Sequence, residues 1–147
     1  MTEEILKEKP DKEDMLEMAA MSYERIGAYK ESLEKLELLM KKYPSLLRQY
    51  QVMQIEYRLQ RFGECLDTAE KILNQPESAK ETVRLNITNS QYQDVPIAAA
   101  TYNVLGMVSL DLNITNQAIK YFEESVKIFP DFVLAQKNLQ SLQEEKK

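Results

Sequence analysis

The sequence predicts an all-α fold built from stacked helical hairpins, and three observations predict it. Pro10 and Pro44 lie 34 residues apart, and so do Pro96 and Pro130, a spacing typical of helical repeat units. Apolar residues recur every three or four positions through most of the intervening sequence, the period of a helix with one buried face. The same order of stripe, turn, stripe and aromatic-Pro stop occurs twice, over 13–46 and 99–130.

The elements follow in order. Ile5 and Leu6, just before Pro10, read as the tail of a preceding second helix. Leu16, Ala19, Ala20 and Tyr23 then form one helical stripe, and Ser32, Leu36, Leu39 and Met40 form another. Between them Gly27 can take a left-handed conformation at low cost. Tyr43-Pro44 stops the second helix, because Pro cannot continue it, and Ser45 is placed to cap the next. The middle hairpin is weaker: Val52, Met53 and Tyr57 precede a turn at Leu59–Phe62, and Cys65, Ala69, Ile72 and Leu73 follow it.

Residues 78–96 fall outside this plan. Val83, Leu85 and Ile87 alternate, which suggests an extended segment, whereas Ala79, Val83 and Ile87 are helix-spaced. The reading adopted is a helical extension to Arg84, then a loop, with Asp94 and Pro96 starting the next helix. That helix carries Tyr102, Leu105, Gly106 and Leu110; Asn113 takes the place of Gly27, and Ala118, Phe122, Ser125 and Val126 follow before Phe129-Pro130. From Thr82 to Ile119 only Arg84, Asp94 and Asp111 are charged, so this region is either a contact surface or more tightly buried. Residues 132–146 read as a closing helix capped by Asp131, with Phe132, Leu134, Leu139 and Leu142 as its apolar contacts.

These residues resemble the tetratricopeptide-repeat (TPR) family. Tyr102, Leu105, Gly106, Ala118, Phe122, Ser125 and Pro130 match its 34-residue pattern closely, and Leu16, Ala19, Ala20, Tyr23, Gly27, Tyr29, Ser32 and Pro44 nearly as well. The middle unit matches through Phe62, Cys65 and Ala69 but departs at Gln49, Glu56 and Gln60. The resemblance implies a single domain: a short right-handed α-α superhelix with repeats at about 13–45, 46–77 and 99–131, an insert at about 78–96 and a closing helix at about 132–146.

Composition narrows the function. The chain has 147 residues, 44% of them hydrophobic and 29% charged, with a net charge of −5. This suits one globular domain and does not suggest a basic nucleic-acid face. There is no His, which excludes Ser-His and Cys-His catalysis and His-assisted metal sites. The single Cys, Cys65, excludes an intramolecular disulfide. It sits at a small-residue packing position with Glu64 and Asp67 beside it in sequence, which favours a structural thiol over a nucleophile. The three Gly residues are far apart, so no phosphate-cradling loop is present. Glu and Lys alternate as solvated helix pairs, as at Glu31 and Lys35. No enzyme, cofactor or metal is expected. The longest uncharged stretch, between Asp94 and Asp111, has 16 residues, short of the roughly 20 apolar residues of a membrane span. The expected compartment is the cytoplasm.

In the family the first helix of each unit lines a concave groove. Carried over by position, the groove here comprises Met18, Met21 and Arg25; Tyr50, Gln54, Tyr57 and Arg58; and Asn103, Met107 and Asp111. Polarizable Met and Tyr with a few polar groups suit a helix or an extended peptide of a partner protein. The five positions that clamp chaperone C-terminal tails in some family members hold Glu17, Met21, Gln51, Ala100 and Val104, none of them cationic, so a terminal carboxylate would lack its charge-assisted bonds. Three alternatives stand beside the groove reading: some of these residues belong to the core, the closing helix folds back to fill the groove, or the solenoid ends self-associate. The expected function is a non-catalytic adaptor or scaffold, with a dedicated chaperone for a secreted or assembled client, or one domain of a larger regulatory protein, as the alternative.

Overall fold

The computed structural model describes residues 12–145, and over them the apolar stripes become seven α-helices. They are α1 (Lys12–Arg25), α2 (Tyr29–Lys42), α3 (Leu46–Arg58), α4 (Phe62–Leu73), α5 (Ile97–Asp111), α6 (Thr115–Ile128) and α7 (Val133–Glu145). Helices α1/α2, α3/α4 and α5/α6 form hairpins that stack into a short all-α superhelix, closed by α7. The helical tail expected at Ile5 and Leu6 lies outside the described residues.

Each hairpin turns on one residue in the left-handed region: Gly27 at φ 81°, Gln60 at 60° and Asn113 at 62°. The hydrogen bonds around the three are equivalent. The next residue's N–H donates five positions back, from Ala28 to Tyr23, Arg61 to Glu56 and Ile114 to Ser109. This satisfies carbonyls that the helix end would otherwise leave bare. Ser45 caps α3, its Oγ accepting from Arg48 N–H at 3.1 Å.

Small residues let the helices close on one another. The buried Ser32 Oγ donates to Ala20 O across the first hairpin at 2.8 Å, and Ser125 Oγ donates to Ala99 O across the third at 2.7 Å. Gly106 lies against the Phe122 ring, and a Cβ there would come within 2.7 Å of Phe122 Cδ1. Only glycine lets α5 and α6 approach this closely.

The central core joins α3, α4, α5 and α7 through residues such as Tyr50, Met53, Ile72, Val104 and Phe132. Smaller clusters lie between α1, α2 and α3 and between α6 and α7. Arg48 at the start of α3 ties the first two hairpins together. Its guanidinium donates to Tyr43 O at 2.7 Å and bridges the carboxylates of Glu13 (2.7 Å) and Glu17 on α1.

The insert corrects the sequence reading. It contains no helical extension to Arg84. A 3-10 turn at Pro76–Ala79 leads into β1 (Thr82–Asn86), which pairs antiparallel with β2 (Tyr92–Pro96). Alternation outweighed helical spacing because one face of the hairpin is buried: Val83, Leu85 and Val95 pack on the central core. The opposite face carries Arg84, which pairs with Asp94 at 3.0 Å and lies 3.9 Å over the Tyr92 ring. Asp94 therefore serves the sheet and does not start α5. Nor does the α7 cap come from Asp131 as expected. The hairpin supplies it, through Gln93, whose Oε1 accepts from Val133 N–H at 3.0 Å and whose Nε2 donates to Asp131 O at 2.6 Å.

Within the near-neutral stretch, α5 has the second of the two expected explanations, whereas 82–94 and 111–117 remain exposed or half-buried. Helix α5 is enclosed by α3, α4, α6 and the hairpin, with Asn138 of α7 against Asn103, and residues from Ile97 to Thr101, Asn103 to Gly106, Val108 and Ser109 are all buried.

Candidate interaction groove

Helices α3 and α5 lie side by side, each the first of its hairpin, and the faces they turn outward meet in a recess of about 570 Å³. Tyr50, Gln54, Tyr57 and Arg58 reach it from α3, and Asn103, Val104 and Met107 from α5. Six of the ten sequence-derived groove residues are thus brought together, which follows from helical spacing along two adjacent elements.

Their exposure differs from the simple expectation of solvent-facing side chains. Tyr50 is 1% exposed and belongs to the central core, reaching the recess only at its edge. Its hydroxyl accepts from Gln54 Nε2 at 3.2 Å, and burial raises its pKa. Asn103 is also buried; its Oδ1 accepts from Asn138 Nδ2 of α7 at 3.0 Å, and its own Nδ2 faces Met107 Sδ at 3.8 Å. The closing helix therefore occupies one flank of the groove, with Leu134 on its wall, and leaves the rest open. Tyr57 is half-buried against Phe62, ring centroids 5.9 Å apart. Burial pushes its pKa up to about 12, and the Asp111 carboxylate beside it adds to the shift. Asp111 is exposed and acts on the groove through Tyr57.

Met21 lines a second recess of about 210 Å³ on the same side of the superhelix, with Glu17, Glu24, Leu47 and Gln51. Glu24 lines both recesses and links them. Met18 and Arg25 stand exposed on α1 and line neither. Of the five clamp positions, Ala100 and Val104 are buried and Glu17 is held by Arg48.

Helical-face reasoning missed the third wall, made by Arg84, Leu85 and Asn86 of β1. The alternation of Val83 and Leu85 was its only signal. Arg58 and Arg84 place two cations at the rim, Arg84 already paired with Asp94, against the single carboxylate of Glu24.

Cys65 is fully buried, and its pKa is pushed up to about 12 by burial and then by Glu56. The acid that acts on it comes from the facing helix α3 and not from Glu64 or Asp67 on its own helix. A thiol so protonated is a poor nucleophile. Among the described residues no group of three or more acidic or Cys side chains could hold a metal, and no helix is long and apolar enough to cross a membrane.

No family model matches the chain, and its sequence matches no curated protein. Solved structures do match. The crystal structure of MamA, a TPR-like helical repeat protein, is similar over 98% of this chain and 74% of that one, with a TM-score of 0.67 at 18% sequence identity. At that identity the likeness shows the fold. The chain has a TPR-like helical-repeat fold.

Proposed function

We propose that this chain is a non-catalytic adaptor that holds a peptide segment of a partner protein in its concave groove, between α3 and α5. The observation that carries this reading is the convergence of Tyr50, Gln54, Tyr57, Arg58, Asn103 and Met107 on one open recess. The apolar floor would take side chains of the segment, and Gln54 and Arg58 would fix its orientation by hydrogen bonds. The net charge of −5 argues against nucleic acid as the partner.

Met107→Glu tests the groove directly. Met107 is half-buried at the recess, so the variant is expected to keep its helical circular dichroism and its cooperative melt. A tagged variant should lose, by roughly tenfold or more, the partner that the wild type captures from a lysate. Equal capture by both would move the binding site away from α3 and α5. A client that aggregates when the chain is absent would favour a dedicated chaperone over an adaptor.

A further inference from the structure

The hairpin that walls the groove has an unused backbone edge. Ile97 N–H donates to Glu81 O at 2.8 Å, and Ile87 N–H donates to Gln91 O at 2.9 Å. These bonds set the phase of the ladder between them. In an antiparallel pair, hydrogen-bonded and non-bonded residues alternate, so Val83 and Leu85 turn their N–H and C=O groups toward β2. Thr82, Arg84 and Asn86 therefore turn theirs away from it. Among the described residues the sheet has two strands, so these groups meet no third strand there. They do not face open solvent on all sides, because Arg84 and Asn86 also line the recess opposite Tyr57 and Met107. β2 is committed elsewhere, with Gln93 fastened to the start of α7.

We propose that the groove binds its partner by strand addition: an extended segment of the partner pairs with the free edge of β1 and becomes the third strand of the sheet. This rests on the groove reading above and specifies how the groove is used. A helical ligand satisfies its own backbone and offers nothing to the N–H and C=O groups of Arg84 and Asn86, whereas an extended one satisfies both partners at once. Side chains of a strand alternate. One set would rest on Val104, Met107 and Leu134, and the other would face the rim. Arg58 lines that rim and makes no ion pair with any other described residue. The segment that fits is therefore extended, apolar at alternate positions, and carries an acidic residue opposite Arg58.

The probe is a random dodecapeptide library displayed on phage and selected on the full chain. Selected peptides are then synthesised with N-methyl groups on alternate backbone nitrogens. Strand addition predicts a phase dependence: methylation of one alternate set weakens binding by about tenfold or more, and methylation of the other changes it less than about twofold. Asn86→Pro removes an outward N–H while leaving the β1–β2 bonds intact, a substitution an edge strand tolerates, and should weaken binding to a similar degree. In the wild-type chain, amide exchange at Arg84 and Asn86 should slow when peptide binds, which needs no variant to fold. Peptides that compete at the groove but bind equally with either methylation phase, and leave those two amides unprotected, would overturn strand addition and leave the groove reading standing. If no peptide is enriched, or if the enriched ones bind Met107→Glu as tightly as wild type, both readings fall.

Discussion

Glu56 sits in the core of the second hairpin, 6% exposed, with its Oε1 accepting from Thr68 Oγ1 at 2.7 Å. Burial raises its pKa; the Thr68 bond opposes the rise, Glu64 and Glu37 add to it, and Arg61 opposes it. A carboxyl whose pKa is raised by folding holds its proton more tightly in the folded chain. Stability then falls as pH rises from the ordinary carboxylate range through the folded pKa, and above that the full cost of the buried charge is present. Glu56→Gln keeps the shape and can still accept the Thr68 bond. The variant is expected to melt above the wild type at pH 7, and the gap should close below about pH 4, where both are neutral. A gap unchanged across that range would assign the effect to packing. At this scale the sequence was partly legible. Gly106 and Ser125 could be placed at close helix contacts because the repeat pattern demands small residues there. Asn103 could not be paired with Asn138, because which helix covers α5 depends on the path of the chain through the insert.

The three helix turns share one geometry but not one residue. Gly27 adopts φ 81° without penalty, whereas Gln60 is held at 60°, which costs an ordinary residue roughly 1–2 kcal/mol. Glycine gives back about 0.5–1 kcal/mol in chain entropy. Gln60→Gly should therefore stabilise by about 0.5–1 kcal/mol and raise Tm by about 1–4 °C, read by thermal denaturation. A lower Tm would show that the Gln60 side chain contributes more than its backbone loses. The helices other than α5, which is buried on nearly every side, were legible because each has one apolar stripe. The β-hairpin was not, because Val83 and Ile87 fit both a period of two and a period near four. Only the core beneath Val83, Leu85 and Val95 decides between them, and that core is built by residues distant in sequence.

Over the whole molecule, α7 closes a stack that would otherwise end on an apolar face. Phe132 and Ala135 are fully buried and Leu142 nearly so, packed against α5 and α6. Burying a Phe or Leu side chain contributes about 1.5–3 kcal/mol. Removing residues 132–147 should cost roughly 4 kcal/mol or more, or abolish the cooperative urea transition, and an unchanged midpoint would show that the stack is self-sufficient. The groove was half legible for a related reason. Helical spacing places side chains along α3 and α5, but the remaining walls come from β1 and α7, which the fold brings together from some 50 residues apart. The enclosure of Cys65 between α3 and α4 also bears on how the protein should be handled. Its thiol can meet neither an oxidant nor a second chain until the two helices part. A disulfide-linked dimer on a non-reducing gel would therefore record that a molecule had opened, and would not be a sign of native assembly.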